Sequence, residues 1–287
     1  MFDALSQPTA SNQPPPGASG GTSALLQLMD VTKRFGGLAA VNGLSFSVRR
    51  GEILGVIGPN GAGKSTLVNL IGGALPLTAG SIYYQGREIS RLLANRRAYL
   101  GIARTFQLTK PFKELDVQQN VLVGALFGHH RMLHAAALRR ADEVLAEVGL
   151  AQKAHLKGEQ LTIADCKRLE MARALATGPQ LLLLDEVMAG LTPAEVAQAV
   201  ELIRKINRMG VTIIVIEHIM QAIKSVSDRI LVLHHGRKIA EGQPETVLSD
   251  PKVIEAYLGE RYAQKQGRSA QTPASSLSEE AQRLREE

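Results

Sequence analysis

The 287-residue chain contains one cysteine, Cys166, and no long hydrophobic run. A single cysteine excludes an intramolecular disulfide framework and is typical of a reducing compartment such as the cytosol. No apolar run approaches the roughly 18–20 residues that a membrane-spanning helix needs, and the N-terminus lacks the basic-then-apolar pattern of a signal peptide. We therefore expect a chain that is itself soluble.

A concentrated patch of one charge is also missing from the sequence. The formal net charge is +6 at pH 7, which is modest for this length, and the basic residues are spread along the chain. Solvation is the simplest reason for this charge, and weak attraction to an anionic membrane surface is the alternative. Specific binding to nucleic acid ranks last, so we expect no nucleic-acid partner.

Length and composition predict one main domain between two tails. Hydrophobic residues make up 45% of the chain, which is enough to build a sizeable core. Residues 1–24 are rich in Pro, Ser, Gly, Gln and Thr, and such a segment has too little apolar surface to offset the entropy lost on ordering. We predict a disordered tail over 1–24, a domain over 25–262, and a polar, charged tail over 263–287.

The most informative segment reads G-x-x-x-x-G-K-S. It follows the apolar run 53–57 and precedes the apolar pattern 66–71, so a strand enters it and a helix leaves it. Glycines let backbone N–H groups approach a polyphosphate, and the helix N-terminus adds positive potential. The alternative, a glycine-rich turn that binds nothing, is weak in this setting. The predicted nucleotide-binding residues here are Gly58, Pro59, Asn60, Gly61, Ala62, Gly63, Lys64, Ser65 and Thr66.

Two further apolar runs predict buried strands that end in polar residues. The run 181–184 is followed by Asp185 and Glu186, and the run 211–216 leads to His218. Continuous apolar character is typical of strands that are covered on both faces, as in a parallel sheet. The polar residues then emerge at the carboxyl edge of an α/β sheet, where ligands bind, and we expect the glycine-rich loop at the same edge.

Together these residues match the needs of phosphoryl chemistry. A Mg²⁺ ion that bridges two phosphates prefers oxygen ligands, which Ser65 and Asp185 would supply. Lys64 would reach the terminal phosphates, Glu186 would orient or deprotonate an attacking water, and His218 would contact the phosphate oxygens. Two plainer interpretations stay open: the acid pair caps the next helix, and the strand-end histidine is structural. The whole set favours hydrolysis over phosphoryl transfer.

The N-terminal part of the predicted domain has the pattern of β-hairpins. Alternating apolar residues over 25–29 and 44–48 predict paired strands, with turns at 35–37 and at the Asn-Gly pair 42–43. A second hairpin is predicted from the strand 81–84. This pattern indicates an antiparallel patch beside the nucleotide-binding core.

Helical periodicity replaces the strand pattern between about residues 117 and 158. His129, His130 and His134 lie in this segment, and the last two have the i, i+4 spacing of a metal pair, but no carboxylate or third ligand is in register. Solvated helix histidines are the better interpretation, and a metal pair is the alternative. The segment is predicted to be an insertion of helices.

From about residue 25 to 260 the chain resembles the ATPase subunits of ABC transporters. The segment 58–65 resembles their Walker A loop, and 181–186 resembles their Walker B strand with its catalytic glutamate. The resemblance implies ATP and Mg²⁺ as ligands. It also implies the fold, an α/β P-loop NTPase with a RecA-like core, an antiparallel β subdomain and an inserted α-helical subdomain at about 108–177.

Single residues extend the resemblance. Gln107, in the sequence Arg-Thr-Phe-Gln, is similar to the Q-loop glutamine that contacts Mg²⁺ and senses the membrane subunit. Residues 189–192 occupy the place of the D-loop, and His218 matches the switch histidine. Phe35 stands where the family has an aromatic residue that stacks on adenine. A core phenylalanine in a hairpin is the alternative, because both roles leave the same trace in a sequence.

The signature segment of the family, normally Leu-Ser-Gly-Gly-Gln, is altered in this chain. In the family it acts on the nucleotide of a partner subunit across a dimer interface. Thr162 keeps a hydroxyl, but Ala164 replaces a glycine whose bare backbone approaches the γ-phosphate, so its Cβ adds bulk and removes access to positive φ. The change therefore concerns the partner's site. The matching residues are Leu161, Thr162, Ile163, Ala164 and Asp165.

Within the family, the segments 104–107, 112–121 and 255–260 resemble the branched-chain amino-acid importers. Urea importers and lipopolysaccharide exporters look similar over the same segments. A non-transport ABC ATPase is a further alternative, but it would carry tandem domains or long coiled coils that this sequence lacks. A regulator without turnover fits less well, because the hydrolytic residues are intact.

The importer branch implies specific partners. The chain would be a peripheral subunit on the cytoplasmic face of the plasma membrane, bound to transmembrane permease subunits and serving a solute-binding protein indirectly. Because the signature is altered, we expect the second ATPase of the pair to be a paralogue. The helical insertion of the present chain is expected to receive a short helix of the permease.

Overall fold

Two β-sheets with surrounding helices form the part of the chain that the computed structural model describes, residues 24–105, 111–130 and 132–257. The strands are β1 (Ala24–Phe35), β2 (Leu38–Arg49), β3 (Ile53–Ile57), β4 (Ala79–Tyr84), β5 (Arg87–Glu88), β6 (Ile102–Arg104), β7 (Leu181–Asp185), β8 (Thr212–Ile216), β9 (Arg229–His234) and β10 (Arg237–Gly242). The helices are α1 (Lys64–Ile71), α2 (Ala94–Tyr99), α3 (Val117–Phe127), α4 (His134–Glu147), α5 (Ile163–Ala176), α6 (Pro193–Arg208), α7 (Met220–Val226) and α8 (Pro244–Leu248), with 3₁₀ turns at Ala151–Lys153 and Gly158–Gln160. None of the described helices is long and apolar enough to cross a bilayer.

The larger sheet contains the predicted buried strands. Its order is β10-β9-β3-β8-β7-β6, and all neighbouring strands run parallel except β9 and β10. Every residue of β3, β7 and β8 is buried, which confirms the prediction from their apolar runs. Leu182 and Leu184 point into one core cluster, and Leu181 and Leu183 point into another. Both faces of the sheet are therefore covered, as is usual for parallel strands.

Different elements cover the two faces. The cluster around Leu182 contains buried residues of α3, α4, α5, α6 and α7, so the helices lie on that side. The cluster around Leu181 contains residues of α1 and of the second sheet. The core sheet is thus held between a helical layer and an α/β layer, and its carboxyl edge is left to the loops.

The second sheet is antiparallel, in the order β2-β1-β4-β5. The predicted turn at 35–37 is confirmed, since Phe35 pairs with Leu38 across it. The predicted turn at 42–43 is wrong: the Asn-Gly pair lies inside β2. There the register shifts between Val31 and Lys33, and Gly43 has a φ of +61°, so the pair forms a β-bulge. An Asn-Gly pair favours a left-handed backbone conformation. Long-range strand pairing decides whether the chain reverses direction at that point.

The predicted helical insertion contains α3, α4 and α5, but two of its histidines are not helical. His129 and His130 lie between α3 and α4, because α3 ends at Phe127 and α4 begins at His134. Nδ1 of His129 lies 2.5 Å from the carbonyl oxygen of Tyr99. The i, i+4 helical spacing of His130 and His134 therefore does not occur, and the prediction of helix histidines was wrong at the first two. The division into domain and tails stays a prediction.

Capping side chains set the start of two helices near the functional edge. Thr192 and Glu195 form a capping box with Pro193 at the first helical position, so α6 begins at Pro193. Asp116 and Gln119 begin α3 in the same way. Local sequence is sufficient to place these two helix ends.

An ion pair between the buried Glu52 and the partly buried Arg229 joins the two sheets. Glu52, just before β3, accepts from Nε of Arg229 at 2.7 Å and from the main-chain N–H of Arg49 at 2.7 Å. Arg229, at the start of β9, also donates to the carbonyl oxygen of Ser47 in β2 at 2.6 Å and pairs with Glu241. Although burial opposes ionisation, these contacts lower the pKa of Glu52.

Replacing Arg229 by Met should lower the free energy of unfolding by about 3–5 kcal/mol near neutral pH, because Glu52 is left buried without its cation. The loss should shrink as the pH falls, because protonation of Glu52 removes the charge that needs a partner. Urea unfolding at about pH 8 and about pH 5 measures both effects. The exposed Arg91→Met should change stability by less than about 0.5 kcal/mol, and an equal loss in both variants would contradict the role of the pair.

Candidate functional site

The glycine-rich loop lies between β3 and α1, as its motif requires. Gly58 has a φ of +154°, and a Cβ on it would stand 2.2 Å from the carbonyl oxygen of Leu233. Gly63 has a φ of +103°, and a Cβ there would stand 2.3 Å from the carbonyl oxygen of Ala40. No other residue type fits these two positions without moving backbone, so the loop conformation depends on glycine.

Lys64 begins α1 and is buried within the loop. Its ammonium donates to the carbonyl oxygens of Gly58 at 2.7 Å and Pro59 at 2.8 Å. Among the described residues no side chain caps the helix, whose N-cap is Gly63. The positive N-terminal end of α1 therefore favours an anion, next to a fixed positive charge. Ser65 is exposed in this first turn and Thr66 is partly buried.

Asp185 is the last residue of β7 and is only 2% exposed. Its main-chain N–H donates to Oγ1 of Thr105 at 3.1 Å. Burial and the neighbouring Glu186 raise the pKa of Asp185, while the charges of Arg104, Lys64 and His218 oppose this shift. Because Lys64, Glu186 and His218 all act on this one carboxyl, the structure brings the predicted set within electrostatic reach.

Glu186 and His218 meet at the sheet edge. Oε1 of Glu186 lies 2.7 Å from Nε2 of His218, so the two side chains share a hydrogen bond. Glu186 has a φ of +52°, which is uncommon for a residue with a side chain. Its main-chain N–H donates to the carbonyl oxygen of Ile216, the last residue of β8. The contact argues against the plainer interpretation in which the acid pair only caps α6, whose N-cap is Thr192.

The altered signature segment forms the start of α5. Thr162 is the N-cap, and its hydroxyl donates to Oδ2 of Asp165 at 2.8 Å. Lys153 also donates to Oδ2 of Asp165, at 2.5 Å. Burial opposes ionisation, but hydrogen bonds from Lys153 and Thr162 lower the pKa of Asp165. The hydroxyl and carboxylate of the segment are therefore engaged with each other.

The expectation that Ala164 loses a needed positive φ is not borne out. Ala164 lies inside α5 and does not have a positive φ. Its Cβ adds bulk but no backbone strain. Leu161 precedes the N-cap, and Ile163 is 65% exposed at the first helical position.

The remaining predicted residues differ in what the structure shows. Phe35 ends β1 and is 49% exposed, with Nζ of Lys33 lying 5.1 Å from its ring centroid. The alternative of a core phenylalanine is therefore wrong, and an exposed ring is available to a ligand. Gln107 lies outside the described residues.

The sequence patterns assign no role to Glu217, which the structure places beside the segment that follows Glu186. It is 1% exposed, and its Oε1 accepts from the main-chain N–H of Met188 at 2.7 Å. Burial raises its pKa to about 7, helped by the charge of Glu186 and opposed by main-chain hydrogen bonds and by Lys167. Its only signal in the sequence is an acid that directly follows a buried strand.

Replacing Glu217 by Gln should change how stability depends on pH. The folded-state pKa of about 7 is above the ordinary 4.5, so the parent loses stability as the pH rises between these values. The free energy of unfolding of the variant, relative to the parent, should therefore rise by on the order of 1–3 kcal/mol over this range and stay level above it.

Denaturant unfolding across this pH range measures the difference. Exposed Glu201→Gln on α6 is the matched control, and its difference curve should be flat to within about 0.5 kcal/mol. A flat curve for the Glu217 variant would show that the carboxyl has an ordinary pKa.

Comparisons with known proteins identify the family. The family model described as "ABC transporter" matches residues 41–189, and one described as "Branched-chain amino acid ATP-binding cassette transporter" matches residues 237–263. The high-affinity branched-chain amino acid transport ATP-binding protein LivG of Salmonella typhimurium is 40% identical over 250 residues, which cover 82% of this chain and 98% of that protein. The corresponding protein BraF of Pseudomonas aeruginosa is 38% identical over 254 residues, with the same coverage of 82% and 98%.

Solved structures share the fold. A crystal structure of the ADP conformation of an ATP-binding cassette of an ABC transporter has a TM-score of 0.76 and 31% identity, covering 83% of this chain and 100% of that one. A dimeric post-hydrolysis state of another ATP-binding cassette, bound to ADP and Pi, has a TM-score of 0.69 and 27% identity, covering 76% and 98%. The predicted ABC-type P-loop fold is confirmed. The chain belongs to the ATP-binding subunits of ABC transporters, which bind ATP and hydrolyse it to drive transport.

Proposed function

We propose that the chain energises the uptake of branched-chain or related amino acids through a membrane permease. The contact between Glu186 and His218, beside the Lys64 loop, is the observation that carries the hydrolytic role. The match of residues 237–263 and the names of LivG and BraF support the solute class. The chain itself contacts no amino acid in this proposal, because its site is built for a polyphosphate.

Each residue of the site has a part in hydrolysis. Lys64 places a buried cation at the loop, where it attracts the terminal phosphates of ATP. Glu186 accepts a proton from the attacking water, and His218 orients this carboxylate through their hydrogen bond. Water adds to the terminal phosphorus as the bond to the bridging oxygen breaks, which releases ADP and phosphate. His218 contacts the phosphate oxygens as negative charge develops on them.

The donor set fits Mg²⁺. Oδ1 of Asp185 is buried and has no hydrogen-bond partner among the described residues, which suits an atom that serves a cation. A bound divalent cation would offset the burial and the repulsion from Glu186 that raise the pKa of Asp185. Ser65 supplies a second oxygen, and Gln107 is the third proposed ligand. When bound, Mg²⁺ neutralises negative charge on the phosphates.

A cleft between the core and the helical insertion supports a permease partner. Its volume is about 400 Å³, and it lies between α2, β6, α3 and α5. Its lining is mostly apolar, with Arg104 and Arg173 among the charged residues, and Phe127 at the cleft is 70% exposed. We propose that this cleft receives a short permease helix at the cytoplasmic face of the plasma membrane, with the solute-binding protein acting on the far side.

The altered signature supports pairing with a different ATPase. Thr162 and Asp165 bond to each other, and the Asp165 charge adds a carboxylate at the N-terminus of α5. A negative charge there offsets the positive helix end that would otherwise favour a phosphate. We infer that two copies of this chain would make a poor composite site, so a paralogue is the favoured partner.

Glu186→Gln should lower the ATPase kcat by about 10²-fold or more, because the amide cannot accept the proton of water. Binding of Mg-ATP, measured by calorimetry, should stay close to that of the parent. Glu201→Gln, on the exposed face of α6, is the control and should hydrolyse at the parental rate. If the Glu186 variant also keeps the parental rate, Glu186 is not the catalytic carboxylate.

The pairing proposal predicts that ATPase activity depends on a partner. The rate per copy of this chain should rise about tenfold or more, a change of about 1.4 kcal/mol in the barrier, when a paralogous ATPase of the same transporter is added. Ala164→Gly should reduce this dependence, because it removes the Cβ from the signature segment. Equal activity with and without the partner would contradict the proposal.

A further inference from the structure

The catalytic carboxylate of the proposed function lies on a turn with an unfavourable backbone conformation. We name residues 186–189 the Glu186 turn. Glu186 has a φ of +52°, in the left-handed region that residues with a side chain rarely adopt. Such a conformation persists only when surrounding contacts hold it. The contacts of the Glu186 turn therefore decide where its carboxylate points.

Lys167 of α5 holds the turn from one side. This side chain is buried, and its ammonium donates to the main-chain carbonyl oxygen of Glu186 at 3.1 Å. The same oxygen accepts from the main-chain N–H of Ala189, at 3.3 Å, within the turn. Because a buried ammonium is stabilised by the hydrogen bonds that it donates, this contact holds the carbonyl in place.

Glu217, directly after β8, holds the turn from the other side. Its Oε1 accepts from the main-chain N–H of Met188, at 2.7 Å, and the carboxyl is buried. The next residue in the chain is His218, whose imidazole contacts Oε1 of Glu186. The neighbouring residues Glu217 and His218 thus contact both the backbone of the Glu186 turn and the side chain of Glu186 itself.

The two contacts have complementary charges. Burial raises the pKa of Glu217, Glu186 adds to this shift and Lys167 opposes it, so both groups lie within electrostatic reach of Glu217. An ammonium on the carbonyl of Glu186 and a carboxyl on the N–H of Met188 each match the polarity of the backbone group that they bind. Two different elements, α5 and the segment that follows β8, therefore orient the peptide groups after Glu186.

We propose that Lys167 and Glu217 are positioning residues that hold the Glu186 turn in the left-handed conformation from which its carboxylate reaches His218. The inference rests on the proposed function, in which Glu186 is the catalytic carboxylate. Neither residue touches ATP in this account, because both act through the backbone of the turn.

Steady-state ATPase kinetics of Glu217→Asp and Lys167→Met, with the partner ATPase present, test the inference. Both variants should lose on the order of 10- to 100-fold in kcat, because a displaced carboxylate accepts the proton of the attacking water less effectively. The KM for ATP should stay within about twofold of the parent, because the phosphate loop is untouched. Glu217→Gln, which keeps a long side chain with an oxygen for the Met188 N–H, should retain more activity than the shorter Glu217→Asp.

The Gln and Asp variants separate positioning from charge. A role that depended on negative charge alone would make Glu217→Asp the more active of the two, and this order would overturn the inference. Lys224→Met and Glu201→Gln change exposed residues of the same types and should keep the parental kcat. Parental kcat in Lys167→Met and Glu217→Asp would also overturn the inference.

A double-mutant comparison identifies the path of the effect. In a Glu186→Gln background, Lys167→Met and Glu217→Asp should have no further effect on the residual rate, because they act only through the lost carboxylate. A further loss equal to that in the parent background would mean an effect independent of Glu186, and would overturn the inference. If Glu186→Gln itself retains the parental rate, it is the proposed function that fails. If a Lys167→Met chain does not bind ATP, Glu217→Asp and Glu217→Gln still decide the question.

Discussion

The parallel pairing of β3, β8 and β7 is the constraint on which the rest of the site depends. Val56 lies beside Ile216, and Ile216 lies beside Asp185, so the three strands end at one level. A phosphate loop, an acid pair and a histidine that are far apart in sequence are then neighbours in space. Parallel strands place equivalent ends at the same edge, which is why this edge collects the chemistry. The apolar runs that bury the strands are therefore also what builds the site.

The site concentrates three carboxyl groups at this edge. Burial and mutual repulsion raise the pKa of Asp185 and of Glu217, and cations from other elements oppose both shifts. Lys64 comes from the phosphate loop and Lys167 from α5, so the balance of charge depends on the relative positions of these elements. A site that needs α5 in place to hold its carboxylate is one in which helical insertion and core are coupled. This coupling is consistent with a subunit that links hydrolysis to movement.

Two sets of residues differ in this chain: those proposed to act on its own nucleotide, and the segment proposed to act on the nucleotide of a partner. The first includes Lys64, Asp185, Glu186 and His218, the residues to which the proposed function assigns hydrolysis. The start of α5 is different, because Thr162 and Asp165 satisfy each other and Lys153 adds a third contact. These contacts stabilise the buried, ionised carboxylate of Asp165. Its negative charge weakens the attraction of this helix end for a phosphate. In the proposed function, the chain therefore supplies its own hydrolytic residues and contributes weakly to the site of a partner.

The sequence by itself determined the phosphate loop, the buried strands, the cap of α6 and the residues at the strand ends, because glycine conformation, apolar runs and capping act over a few residues. Tertiary structure alone decided that the Asn-Gly pair at 42–43 is a bulge, that His129 and His130 leave the helix, and that Glu217 and Lys167 meet the Glu186 turn. Each of these depends on which distant segment lies beside the residue. Strand register and the pairing of distant segments are set by contacts across the whole fold, and no local pattern carries them.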